Sequence, residues 1–112
     1  MKVAVSSIGK GLESKVSTVF GRCQYFIIAE IEGRKIQKIE AVENMSAGQK
    51  GGAGISAARE VAERGAKAVI TGNLGPRASD VLKQFKIEAY KGSGSVKEAL
   101  QKFIEKKLEK IL

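Results

Sequence analysis

The stretch "GQKGGAGISAAREV" carries Gly52-Ala53-Gly54-Ile55-Ser56-Ala57, which matches the loose glycine fingerprint that turns a chain beneath a pyrophosphate. That chemistry needs a strand running straight into the first glycine and an acidic ribose ligand about 20 residues further on. Here the irregular segment "ENMSAGQKG" precedes the glycines, and the next strand closes on Thr71-Gly72-Asn73 with no acid. A P-loop fails too. Gly9-Lys10-Gly11 is too short for one, and the frame opened by Gly48 has Ala53 where its second glycine should stand.

The remaining reactive groups are few. The chain has no histidine and a single cysteine, Cys23, so His-based triads, an intrachain disulfide and paired-cysteine zinc or redox sites are all excluded. The glutamates fall mostly on helix faces or strand edges, and no credible general base emerges, which argues against an enzyme. A formal charge of +8 favours an anionic partner. Aromatic residues make up only 5% and mostly lie in apolar runs, so no exposed stacking platform for single-stranded nucleic acid is evident.

The elements that must position these residues follow from periodicity. At 112 residues one domain spanning 1–112 is expected. No apolar run approaches the roughly 20 residues of a membrane span, and the start "MKVAVSSIGK" lacks a signal-peptide core, so a cytoplasmic protein without a membrane partner is expected. Val3 and Val5 mark a first strand, followed by the long loop "SIGKGLESKVSTVFGR". "YFIIAEIE" and "KIQKIEAV" form a hairpin around Gly33, with Phe26-Ile27-Ile28 suited to a sheet interior and Lys35, Gln37, Lys38 and Glu40 to an edge. Ile55, Ala58, Val61 and Ala62 begin helix one, which ends at Gly65. After the strand "KAVIT", Pro76 opens helix two, with Val81, Leu82 and Phe85 as its apolar face and Asp80, the sole aspartate, near its start. "IEAYK" is the last strand. Ser95 and Glu98 form a capping box that starts helix three, whose apolar spacing runs from Val96 through Leu108 to Ile111.

Three glycine-bearing loops, "GQKGGAG", "GNLGPR" and "GSGS", each precede a helix start. In an α/β sheet with parallel strands such loops gather near the strands' carboxyl ends, where free helix N–H groups face anions. Lys50, Arg77 and Lys91 lie in or beside them and tilt the set towards an anion site. The alternative is plain turn and cap chemistry with solvated lysines.

"VSTVFGRCQYFIIAEIEGRKI", "ENMSAGQKGGAGISAA" and "AVITGNLGPRASDVLKQFKIEAYKGSGSVKEAL" together resemble the dinitrogenase iron-molybdenum cofactor biosynthesis family, the NifX-like and NifB C-terminal-like domains. The likeness spans nearly the whole chain. Its most specific parts are Phe20-Gly21-Arg22, Gly52-Ala53-Gly54, Gly72 with Gly75-Pro76, and Gly92 to Val96. It implies a three-layer α/β/α ribonuclease H-like fold with about three helices and a five-stranded mixed sheet of order 3-2-1-4-5, strand 2 antiparallel. Nuclease activity does not follow, because the first strand offers none of the carboxylates that two-metal chemistry needs.

The resemblance further implies a non-catalytic carrier or chaperone for an anionic metal–sulfur cluster: iron-molybdenum cofactor, its iron–sulfur precursor or a related cluster. Cluster donor or acceptor proteins are the implied macromolecular partners. On this reading the site comprises Arg22, Cys23, Lys50, Gly51, Gly52, Gly54, Asn73, Gly75 and Arg77. Cys23 is the one soft metal ligand available, and the neighbouring Arg22 guanidinium would favour its thiolate. Cys23 could instead pack as a small apolar residue. One thiolate cannot hold an ordinary four-cysteine cluster, so the cargo would need its own ligands, electrostatic capture or sharing between chains. Many relatives carry histidine near the FGR segment or before the GAG segment, where this chain has Val19, Gln49 and Lys50. Two other function classes stay in view: an enzyme binding a nucleotide or phosphorylated metabolite through the glycine loops, and a basic interaction protein for nucleic acid or an acidic partner. The lysines of helix three are interleaved with Glu98, Glu105 and Glu109, which suits a solvated face better than a phosphate-tracking stripe.

Overall fold

A computed structural model describes residues 1–112. In chain order the elements are β1 (Lys2–Ser7), β2 (Tyr25–Glu32), β3 (Lys35–Glu43), α1 (Ala53–Glu63), β4 (Ala66–Thr71), α2 (Pro76–Gln84), β5 (Glu88–Lys91), α3 (Val96–Ile104) and β6 (Glu109–Lys110). They build one mixed sheet of order β3-β2-β1-β4-β5-β6. β1, β4 and β5 are parallel, β2 runs against β1, and β3 runs against β2. The expected order 3-2-1-4-5 and the antiparallel second strand are therefore present. No helix is long and apolar enough to cross a membrane.

Alternation along the central strands decides the layers. Ala4, Phe26, Ile28 and Val69 face one side and pack with Ala57, Val61 and Leu82 of α1 and α2. Val3, Val5, Ile27 and Ile70 face the other and pack with Val96, Ala99 and Leu100 of α3. Both faces of β1 are buried, which is why "VAV" reads as a short apolar run. The hairpin turns on Gly33 (φ 54) and Arg34 (φ 69), the left-handed pair that matches strand twist. Gly65 (φ 86) follows α1, Pro76 occupies the first turn of α2, and the Ser95–Glu98 capping box is closed in both directions at 3.0 Å.

The C-terminal segment corrects the expectation of five strands and a helix through Ile111. α3 stops at Ile104, because Lys106 adopts φ 60 and the Lys107 N–H reaches back to the Lys102 carbonyl at 2.8 Å, a helix-ending turn. The chain then reverses, and Glu109–Lys110 pair antiparallel with β5 as a sixth strand. Leu108 still packs on the α3 side, but Leu112 joins the α1/α2 side and Ile111 is exposed. Two smaller expectations at α2 also fail. Phe85 follows the last helical residue and is half exposed, and Asp80 lies beyond the first turn, which contains no acid.

Candidate functional site

At the carboxyl end of β4, the starts of α1 and α2 converge on a cleft of about 410 Å³. Its walls bring together Arg22, Gly54, Asn73, Gly75 and Arg77 from three separate segments, and none of its eleven lining residues is acidic. Neither helix start carries a side-chain cap: α1 begins after Gly52, held at φ 72, and α2 begins after the extended Gly75. The first intrahelical bonds are those of Ser56 to Gly52 and Ser79 to Gly75, so the N–H groups of Gly54, Ile55, Arg77 and Ala78 have no acceptor within the chain. By contrast α3, whose start lies outside this cleft, is closed by its capping box.

Close backbone approach explains several of the glycines. A β-carbon at Gly21 would come within 2.6 Å of the Gly54 nitrogen and 2.7 Å of its Cα, so the turn before β2 rests directly on the first turn of α1. One at Gly54 would press on Ala78 at 3.3 Å, which sets the spacing of α1 against α2. One at Gly72 would lie 2.7 Å from the Thr18 Cα. Gly51 and Gly75 have open space around them. Beneath these loops the Ser6 hydroxyl donates to Thr71 Oγ1 at 2.8 Å, and the Thr71 hydroxyl donates to the Asn73 carbonyl at 3.3 Å, tying the ends of β1 and β4 to the cleft floor.

Arg22 and Cys23 are adjacent in sequence but face different surroundings. Arg22 is exposed, and its Nη1 donates to the carbonyls of Ala47 (3.0 Å) and Gln49 (2.7 Å). Asn44 braces the same turn, donating to the Gly21 and Cys23 carbonyls at 3.0 and 2.9 Å. Cys23 is 2% exposed and belongs to the α1/α2 core. Burial pushes its thiol up to about 11, outweighing hydrogen bonds from the Ser7 amide, Asn44 and its own amide. The expected thiolate beside a guanidinium is thus corrected: the guanidinium holds loop carbonyls, and desolvation keeps the sulfur protonated.

Lys50 and Gly51 lie exposed in the adjoining loop, and neither they nor Cys23 and Gly52 line the cleft. Lys91 lines a different depression beside β6. Ala53 and Pro76 fall within the Gly51–Gly54 and Asn73–Arg77 stretches that the sequence points to, whereas Val19, Phe20, Gly21 and Ala78 are walls that sequence reasoning missed as site residues. The FGR and GPR glycine motifs were the available signal, but their mutual approach is not encoded locally. Nowhere do three or more cysteine, aspartate or glutamate side chains gather as a metal-holding group.

The fold and cleft define a small α/β/α domain with an acid-free, cationic pocket between two open helix starts. The chain belongs to the dinitrogenase iron-molybdenum cofactor family, whose profile matches residues 1–106. It is 38% identical over 112 residues to the uncharacterized protein MJ0580 of Methanocaldococcus jannaschii, covering 98% of this chain and 95% of that one. Among solved structures it is similar to the apo form of the orange protein from Desulfovibrio gigas, with a TM-score of 0.90 and 30% identity over 97% of this chain and 91% of that one. It is also similar to a candidate NifB protein from Thermotoga, with a TM-score of 0.83 and 34% identity over 98% and 92% of the two chains.

Proposed function

We propose that this protein is a non-catalytic cytoplasmic carrier or chaperone that takes an anionic metal–sulfur cluster as cargo in the cleft between the starts of α1 and α2. The cargo class is iron-molybdenum cofactor, its iron–sulfur precursor or a related cluster. One observation carries this reading: two uncapped helix N-termini and the guanidinium-bearing Arg22 and Arg77 line one pocket that contains no carboxylate. Such a site attracts anions through oriented N–H groups and fixed positive charge. Membership of the family supports a metal–sulfur cluster among possible anions.

In this reading Arg22, Gly54, Asn73, Gly75 and Arg77 meet the cargo, while Lys50 and the Gly51–Gly52 turn add positive potential and shape at the rim. The cluster keeps its own ligands, because the only thiol is buried and protonated. Handover to donor or acceptor proteins then requires no protein–metal bond to break.

Anaerobic reconstitution with ferrous iron, sulfide and molybdate, followed by desalting, tests this. Wild-type protein should retain visible absorption together with iron, sulfide and molybdenum. Arg22→Ala combined with Arg77→Ala should lose most of it, and Cys23→Ala should retain it. A colourless wild-type protein sinks the proposal. The same N–H groups would also suit a phosphate ester, so thermal stabilisation by nucleotides but not by metal–sulfur species would transfer the cleft to a phosphorylated ligand.

A further inference from the structure

A second cavity, of about 400 Å³, lies across the sheet from the cleft. Ile31, Phe103, Ile104 and Leu108 give it apolar walls, all belonging to the α3 side of the core, whereas the cleft is built on the α1/α2 side. Its size falls within the range of small-molecule sites, about 300–1,000 Å³. The cavity lies where α3 stops at Ile104 and the chain doubles back through Lys106 to β6, with Leu108 of that return segment forming part of its wall.

The charges at this cavity are selective. The other cations at or near the cavity are matched: the amine of Met1, itself a lining residue, meets Glu30 at 3.0 Å, Lys107 meets Glu105 at 3.1 Å, and Lys110 meets Glu88 at 3.2 Å. Arg34, on the β2–β3 turn, and Lys106, after α3, both line the cavity, and neither makes a side-chain hydrogen bond or ion pair within the chain. Arg34 contributes to the field that lowers the Glu105 carboxyl, but that carboxylate is already paired with Lys107. No acid lines the cavity. An apolar hollow with two unmatched cations, one a planar guanidinium, complements a molecule with an apolar body and one carboxylate.

We infer that this cavity is a binding site for a free amphipathic carboxylate of the medium-chain fatty-acid class, its tail among Ile31, Phe103, Ile104 and Leu108 and its head between Arg34 and Lys106. The site is separate from the metal–sulfur cleft and stands or falls independently of it.

Decanoate, kept below its micellar range, is the probe, read by amide chemical-shift changes and calorimetric titration on the full chain. Decanoate should saturate and shift the amides of Ile31, Arg34, Ile104 and Leu108. The double variant Arg34→Gln, Lys106→Gln should keep its melting temperature and weaken decanoate by about tenfold or more, the scale of one charge-assisted contact. Decanol or decyltrimethylammonium binding as tightly as decanoate would overturn the inference, since the cations would then select nothing. Shifts confined to the cleft would also overturn it, as would binding to anionic phospholipid vesicles without saturable binding of the monomeric acid.

Discussion

Replacing Gly21 with alanine tests whether the cleft is assembled by backbone contact. The new methyl carbon would sit 2.6 Å from the Gly54 nitrogen, 2.7 Å from its Cα and 3.0 Å from the Ala53 carbonyl carbon. Comfortable separation is about 3.5 Å, so one backbone segment must withdraw by about 0.9 Å, with no flexible side-chain tip to absorb the overlap. Overpacking of this kind costs about 1–3 kcal/mol. Alanine recovers about 0.4–1 kcal/mol by restricting the unfolded chain, leaving a net loss centred on about 1.3 kcal/mol. For a domain of this size that lowers the melting temperature by about 4–8 °C. Gly51→Ala is the matched control: it has open space and no positive φ, so it should be neutral or stabilising by about 0.4–1 kcal/mol. Urea unfolding followed by circular dichroism measures both. A Gly21→Ala protein as stable as wild type, or a Gly51→Ala protein equally weakened, would refute backbone contact as the reason for Gly21.

The buried thiol makes a pH prediction. With Cys23 raised from 9.0 to about 11, the folded state holds its proton more tightly than the unfolded state, so stability falls as pH rises through that window. The loss approaches about 2–3 kcal/mol, and it should be missing from the Cys23→Ala protein and so appear as the wild type–variant difference in urea melts between pH 8 and about 11. Iodoacetamide at pH 8 should label Cys23 only on unfolding; prompt native labelling would contradict its burial. Ser95→Ala opens the capping box and should cost about 1 kcal/mol in thermal melts. The Glu98 carboxyl is held below its ordinary range chiefly by the Ser95 amide, so its contribution should fade as pH falls through its folded-state pKa, and a flat acid limb would refute this. Arg22→Ala cuts both tethers to the Ala47 and Gln49 carbonyls and should speed tryptic cleavage after Lys50 several-fold, with unchanged rates counting against the tether.

Local chemistry made much of this protein legible before folding. The hairpin at Gly33, the left-handed Gly65, Pro76 in the first turn of α2 and the Ser95–Glu98 box each depend on residues within one turn of each other, and each stands in the structure. The contrast between the apolar β2 and the charged β3 likewise placed one strand inside the sheet and the other at its edge. Periodicity misled at the C-terminus, because Leu108 and Ile111 stay in helical phase with Phe103 and Ile104 although the chain turns at Lys106. A lysine there carries none of the warning that glycine would. The sequence could also show that Arg22, Gly54, Asn73 and Arg77 are of types suited to anions, since charge and glycine are properties of single residues. Only tertiary structure decided that these four share one pocket, that Lys50 lies outside it, and that Cys23 is sealed in the core while Arg22 remains exposed. Those outcomes depend on which backbones meet across the sheet and how much water each group loses, quantities set by contacts between segments far apart in the chain.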